Sequence, residues 1–199
     1  EMSGLDLEEL KERAADRSFE PVSLGVRGRT QVRNTLRTLD SQNFVAKLEG
    51  VSAPDEIVIY VAHWDHLGQD ENLDGDRIFN GAADNATGTA GMIELARAFT
   101  QAPELLRRSI LFLAVTAEEQ GLLGSKHYGE NPLYPVAQTV AAFNMDVLNQ
   151  WGRTRDMTIV GMGQSELDQY AMAIARRSGR ALNPDPEPEK GFYYRSDHF

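Results

Sequence analysis

Seven residues carry side chains that could do chemistry together: His63 and Asp65 in AHWDH, Asp84 in GAADN, the pair Glu118-Glu119 in TAEE, Asp146 in FNMD and His198 in SDHF. Imidazole nitrogens and carboxylate oxygens are the donor set for zinc or manganese, and a further carboxylate beside such a set can take a proton from water. The chain has no cysteine, which excludes disulfides and thiolate ligands and leaves metal binding to histidine and carboxylate. The same absence leaves the compartment undecided.

Each position has a plainer reading. His63 and Asp65 are two apart at a strand end, so a persisting strand sends both from one face, as suits a ligand and the carboxylate that orients it; otherwise they are a polar terminus facing solvent. Asp84 stands among small residues just ahead of a helix, where it could bridge two ions or serve as the N-cap. Adjacent positions on a helix point about 100° apart, so Glu118 and Glu119 divide the work, one as ligand and one as general base, unless both are solvated at a helix N-terminus. The burial implied by SILFLAVTA weakens that alternative. Asp146 closes an apolar strand, where a charge needs a partner, and His198 in isolation is evenly balanced. His66 and His127 lack a comparable setting and are expected to be structural, with His66 at most supporting a ligand.

The elements that must position these groups are three apolar runs, EIVIYVAH, SILFLAVTAEE and TVAAFNMD, each stopping at a candidate residue. Runs rich in Val, Ile and Leu with little alternation suit strands buried on both faces of an α/β sheet, whose ligands gather beyond the carboxyl ends of the strands. Around them the sequence predicts a short helix over Leu5–Arg17, a hairpin of Thr30–Leu36 with Asn43–Leu48, a loop over Gly68–Gly81 and a helix over Ala86–Thr100. It also predicts a helix over Glu118–Tyr128 running straight from the second core strand, a strand near Met157–Val160, a helix from Ser165 to Arg177 stopped by Gly179, and irregular chain over Asn183–Gly191. Asp70, Asn72, Asp74 and Gly75 partly match a calcium loop, but Gly81 stands where the bidentate glutamate belongs.

At 199 residues and 41% hydrophobic content the chain fits one compact domain. A formal charge of −10 argues against nucleic acid as partner, because phosphates would be repelled. No apolar stretch approaches the roughly 18 residues of a membrane span. The opening Glu1-Met2-Ser3 and the acidic residues after it do not read as a secretory leader, so any such signal is expected upstream or removed.

The ordered stretches AHWDHLG, FNGAADNATG, RRSILFLAVTAEEQGLLGS, FNMD and YRSDHF, with SQNFVAKLEG ahead of them, resemble the co-catalytic di-zinc aminopeptidases of the bacterial leucyl aminopeptidase type. The resemblance implies an α/β three-layer αβα sandwich around a mixed, mostly parallel sheet, and two Zn2+ ions, with Mn2+ or Co2+ as substitutes. Asp84 would bridge the ions, His63 and Asp146 would complete one site, and Glu119 and His198 the other. Glu118 would be the base on a water between the metals, Asp65 the partner of His63, and Tyr193 or Tyr194 a donor to the oxyanion. It further implies a cis peptide at Asp84–Asn85, peptide substrates with a free N-terminus, and a secreted or periplasmic setting. Residues 1–26 look like the exit segment of an upstream protease-associated domain or a simple N-terminal helix, and 27–199 like the catalytic domain. The family fold continues beyond SDHF, so the chain is expected to be incomplete there, with the Glu119–His198 site weakly held and the sheet edge open to self-association. A single-zinc glutaminyl cyclase and an inactive binding module on the same scaffold are the alternatives.

Overall fold

The computed structural model describes residues 5–199; the expectation about Glu1-Met2-Ser3 lies outside them. The chain divides into two compact units, one ending at Leu39 and the other spanning Asp40–Phe199. The first contains α1 (Leu7–Ala14), capped by Asp6, whose carboxylate accepts from the Glu8 and Glu9 amides, with Glu8 and Glu9 in the first turn and Arg13 in the last. The strand expected over Thr30–Leu36 is not formed: this stretch is irregular, with Leu36 93% exposed. Val32 and Leu36 find no ladder to join, so propensity alone does not hold it extended as sheet.

The second unit is built on a four-stranded sheet ordered β1-β5-β2-β6. Its strands are β1 (Phe44–Leu48), β2 (Ala53–His63), β5 (Arg108–Val115) and β6 (Thr139–Asn144); β1 lies antiparallel on β5, while β5 and β6 flank β2 in parallel. β1 thus pairs with β5 instead of forming the expected hairpin. Asn43 fixes it there, donating from Nδ2 to the Gly124 carbonyl at 2.8 Å and accepting from the Thr116 amide at 3.1 Å.

Alternation in the two inner strands supplies a core on each face. Ile57, Ile59 and Val61 of β2 join Leu111, Leu113 and Val115 of β5 on one side, covered by Tyr128 of α3 (Leu123–Glu130) and by Tyr134. Ala62, Ile110, Phe112 and Ala114 meet Met92, Leu95 and Phe99 of α2 (Ala86–Thr100) on the other. Helices on both faces of a mostly parallel sheet make the three-layer αβα arrangement expected. β6, read as buried on both faces, is instead an edge strand with exposed Val140 and Phe143, because only β2 pairs with it.

The loop after β2 folds back through a short pair, β3 (Gly68–Gln69) and β4 (Ile78–Phe79). A second small parallel pair joins β7 (Asp156–Ile159) to β8 (Ala181–Pro184) across α4 (Leu167–Arg177). α4 begins two residues after Ser165 and ends at Arg177, with Gly179 at φ +67° just beyond it, as the sequence indicates. β8 corrects the irregular reading of Asn183–Gly191 only at its first two residues: Pro184 closes a strand with one neighbour, where its missing N–H breaks no ladder, and the chain beyond it has no strand or α-helix up to Gly191. Among the described residues, no helix is long and apolar enough to cross a membrane.

Candidate metal centre

Register brings the candidate residues to one edge. His63 ends β2 level with Val115, and the Met145 amide donates to Val61 O at 2.9 Å, so Asp146 and the Thr116–Glu119 segment leave the sheet beside His63. The chain does not continue as helix from β5. Ala117, Gly121 and Leu122 have φ of +55°, +100° and +61°, which a right-handed helix cannot contain, and α3 starts only at Leu123. Glu118 and Glu119 therefore diverge within a turn, not along a helix. The Asp65 carboxylate holds that turn, its Oδ2 accepting from the Ala117 amide at 2.7 Å.

His63 is fully buried, and its Nε2 lies 3.0 Å from Asp84 Oδ1 and 3.4 Å from Asp146 Oδ1. On the ring's far side Nδ1 donates to the main-chain carbonyl of Asp65 at 3.1 Å, with the Asp65 carboxylate 3.9 Å away. The orienting contact thus comes from the backbone of Asp65, while its carboxylate chiefly braces the β5 exit. A second group forms beside the first: His66 Nδ1 is 2.6 Å from Glu119 Oε1, and Asp84 is shared between both groups, all ligand atoms of each lying within 4.8 Å of one another. Glu118 and His198 belong to neither group among the described residues. His198 packs on the Tyr193 ring, centroids 4.9 Å apart, within an aromatic cluster that includes Tyr194 and Phe199.

Several supporting residues carry little sequence signal. Asn85, not Asp84, caps α2: its Oδ1 accepts from the Gly88 and Val147 amides at 2.9 and 3.2 Å, and its Nδ2 donates to Met145 O at 2.9 Å. Gly88 is required there, because a Cβ would meet Met145 O at 2.2 Å. The Asp84–Asn85 peptide is cis, as the resemblance implies. Ser196 donates to Asp146 Oδ2, and Asp197 accepts from Ser125 Oγ at 2.6 Å. Asn85 was visible only as one more polar residue in a capping cluster, and Ser196 and Asp197 only as neighbours of His198.

The electrostatics are those of packed like charges beside one buried imidazole. Burial works against charge on His63, but the Asp146 carboxylate outweighs it, helped by Glu118, and lifts the pKa to about 9. Burial would also raise Asp146, yet His63 and Ser196 hold it below the ordinary value. Burial pushes Glu118 up to about 7, with Asp197, Asp146 and Glu119 adding repulsion and His63 opposing. Burial likewise raises Asp197 and lowers His198.

Buried polar atoms are normally paired. Among the described residues, those left without a hydrogen-bond partner gather at this edge: His63 Nε2, Asp65 Oδ1, His66 Nδ1, Asp84 Oδ1, Glu119 Oε1, Asn144 Oδ1, Asp146 Oδ1, Asp197 Oδ2 and His198 Nε2. Converging nitrogen and oxygen atoms that lack hydrogen-bond partners fit a divalent cation. A cleft of about 440 Å³, lined by Trp64, His66, Phe79, Gly81 and Asn85, opens beside them.

Residues 43–199 match the model of peptidase family M28. The chain is 33% identical over 140 residues to mouse aminopeptidase NAALADL1, covering 65% of this chain and 17% of that one. It is 32% identical over 150 residues to aminopeptidase YwaD of Bacillus subtilis strain 168, covering 73% and 30%. It therefore spans less than a third of the length of either relative. The crystal structure of BSAP, described as a zinc aminopeptidase from Bacillus subtilis, superposes with a TM-score of 0.58 at 24% identity over 79% of this chain and 36% of that one, which places the fold. By the extent of that match, this chain belongs to peptidase family M28.

Proposed function

We propose that residues 27–199 are the catalytic domain of a zinc-dependent aminopeptidase that removes the N-terminal residue of peptides, with 1–26 leading in from another segment. The observation that carries this reading is the convergence of unpaired buried nitrogen and oxygen atoms at one sheet edge, in a member of a peptidase family. Two ions would be held by His63, Asp84 and Asp146 and by Asp84, Glu119 and His198, the last being an assignment that rests on the family resemblance. Bound there, they would supply Lewis acidity toward a carbonyl and lower the pKa of water.

The chain's own residues do the rest. The Asp65 carbonyl holds His63 Nδ1 and so turns Nε2 toward Asp84 and Asp146. Asp65 Oδ2, through the Ala117 amide, fixes the turn from which Glu118 projects. Glu118, projecting from that turn beside Glu119, would accept a proton from water and return it to the leaving amine. The acidic rim attracts a protonated peptide N-terminus, and Tyr193 or Tyr194 would donate to the oxyanion. An extracytoplasmic setting and self-association through the exposed β6 edge are part of the same reading, the former resting on the resemblance alone and the latter on exposed Val140 and Phe143.

The test pairs zinc content with turnover of aminoacyl chromogenic amides and of a peptide beginning with glutamine. Two zinc ions with release of the first residue, and none from N-acetylated substrate, support the aminopeptidase. Cyclisation of the glutamine would make it a glutaminyl cyclase. Neither reaction in the metal-loaded protein would leave a binding module.

A further inference from the structure

We propose that Ser196, turned by Asn144, is a positioning residue that joins the two metal positions, its hydroxyl orienting Asp146 of one and its backbone delivering His198 of the other; this rests on the two-metal reading above. Ser196 Oγ accepts from Asn144 Nδ2 at 2.5 Å and donates to Asp146 Oδ2. The direction of both bonds follows from what each group can give. A carboxylate only accepts, so the one hydroxyl proton goes to Asp146, and the serine oxygen is left to receive the Asn144 amide. Asn144 ends β6 and Asp146 stands two residues on, so the serine bridges groups on the same stretch of chain. With Oδ2 taken, Asp146 turns Oδ1 toward His63 Nε2, 3.4 Å away and without a hydrogen-bond partner.

The same serine opens the turn that holds His198. The Phe199 amide donates to the Ser196 carbonyl at 3.1 Å, closing a turn around Asp197 and His198. Asp197, only 9% exposed, accepts from Ser125 Oγ of α3 at 2.6 Å. His198 is thus pinned on two sides, by Ser196 to the end of β6 and by Asp197 to α3, and its Nε2 is buried without a hydrogen-bond partner. The Asp197 anchor acts on His198 alone, whereas the Ser196 anchor reaches Asp146 as well. Removing one or the other should therefore leave different marks on metal binding.

Calorimetric titration with zinc reads those marks. Ser196→Ala should weaken both equivalents by about 10-fold or more, and Ser125→Ala should weaken one. Ser196→Thr, which keeps the hydroxyl, should restore both. Thermal melting of each metal-free variant confirms the fold before titration. Loss at one equivalent or at neither in Ser196→Ala overturns the joint role while leaving the two-metal reading intact. So do equal losses at both equivalents in Ser125→Ala, or a threonine variant as weak as the alanine one. Should Ser196→Ala fail to fold, Asn144→Ala decides: it leaves Ser196 in place but frees its hydroxyl to turn from Asp146, so both equivalents should weaken to a smaller degree, and unchanged affinities overturn the proposal. A single zinc equivalent in the unaltered chain overturns the two-metal reading and this proposal with it.

Discussion

The two candidate ligand groups at this sheet edge, taken as the two halves of the proposed centre, are held in different ways. His63 and Asp146 leave parallel neighbours β2 and β6, one fully buried and the other clamped by Ser196, so their spacing is set by the sheet. His66 and Glu119 sit in connecting chain beyond β2 and β5, each about one-fifth exposed, their positions set by Asp65, Gly81 and Phe79. Ligands fixed by a rigid scaffold need little ordering when an ion arrives, whereas loop-borne ligands must be ordered by it. The strand-held half should fill first and the loop-held half second.

The largest expected effect tests the seam between the halves. Glu118 faces charges from both, and Glu118→Gln should keep both zinc equivalents yet lower kcat on the order of 100-fold or more. Zinc loss in that variant would make Glu118 a ligand of one half and undo its role as base. Next comes the foundation of each half. Leu111→Ala, beneath the strand ends at 0% exposure, should destabilise the fold by about 3 kcal/mol in denaturant titration, and Phe79→Ala, 37% exposed behind His66, by less than about 1 kcal/mol. Equal losses would erase the difference in rigidity. Asp65→Asn keeps an oxygen for the Ala117 amide but removes the charge near His63. Zinc at the strand-held position should weaken by about 10-fold while the other position changes less; calorimetry showing an equal loss at both would tie the two halves to one brace.

The smallest effect per unit of change is in pH. Without metal, Glu118 titrates near 7 against 4.5 in the unfolded chain and His63 near 9 against 6.5. The folded chain therefore binds more protons, so stability is greatest at low pH within this window. Glu118's share should be lost between 4.5 and 7 and His63's between 6.5 and 9, with Asp197 acting in the same direction and His198, lowered by burial, opposing them. The slope is at most about 1.4 kcal/mol per pH unit for each titrating group, less for the partly exposed Glu118. Metal-free stability that rises from pH 5 to 9 would contradict the charge assignments of the strand-held half.

The strand-held half was legible because its signal is local: an apolar run that ends in His or Asp names both the element and the residue. That is why His63 and Asp146, β2 and β5, and the helix behind Asp84 could all be read from the chain. The loop-held half was not, since Ala117 and Leu122 adopt positive φ that their residue types do not advertise, and a helix was expected through them. His66 looked idle because nothing in AHWDH says that the loop bearing Gly81 closes over it. β6 looked doubly buried because composition cannot count neighbours in a sheet, and β1 found its partner through Asn43, far along the chain from Thr116 and Gly124.

Asn85 gives the centre a mechanical property of its own. Edge strands fray more readily than inner ones, and β6, with one neighbour, carries Asp146 at its end. Yet the Asn85 side chain grips Met145 and Val147 on either side of that aspartate while also closing the first turn of α2 beside Asp84. If the body of β6 opens, the two carboxylates travel as a tethered pair, and the gap between them is decoupled from the breathing of the strand that delivers one of them.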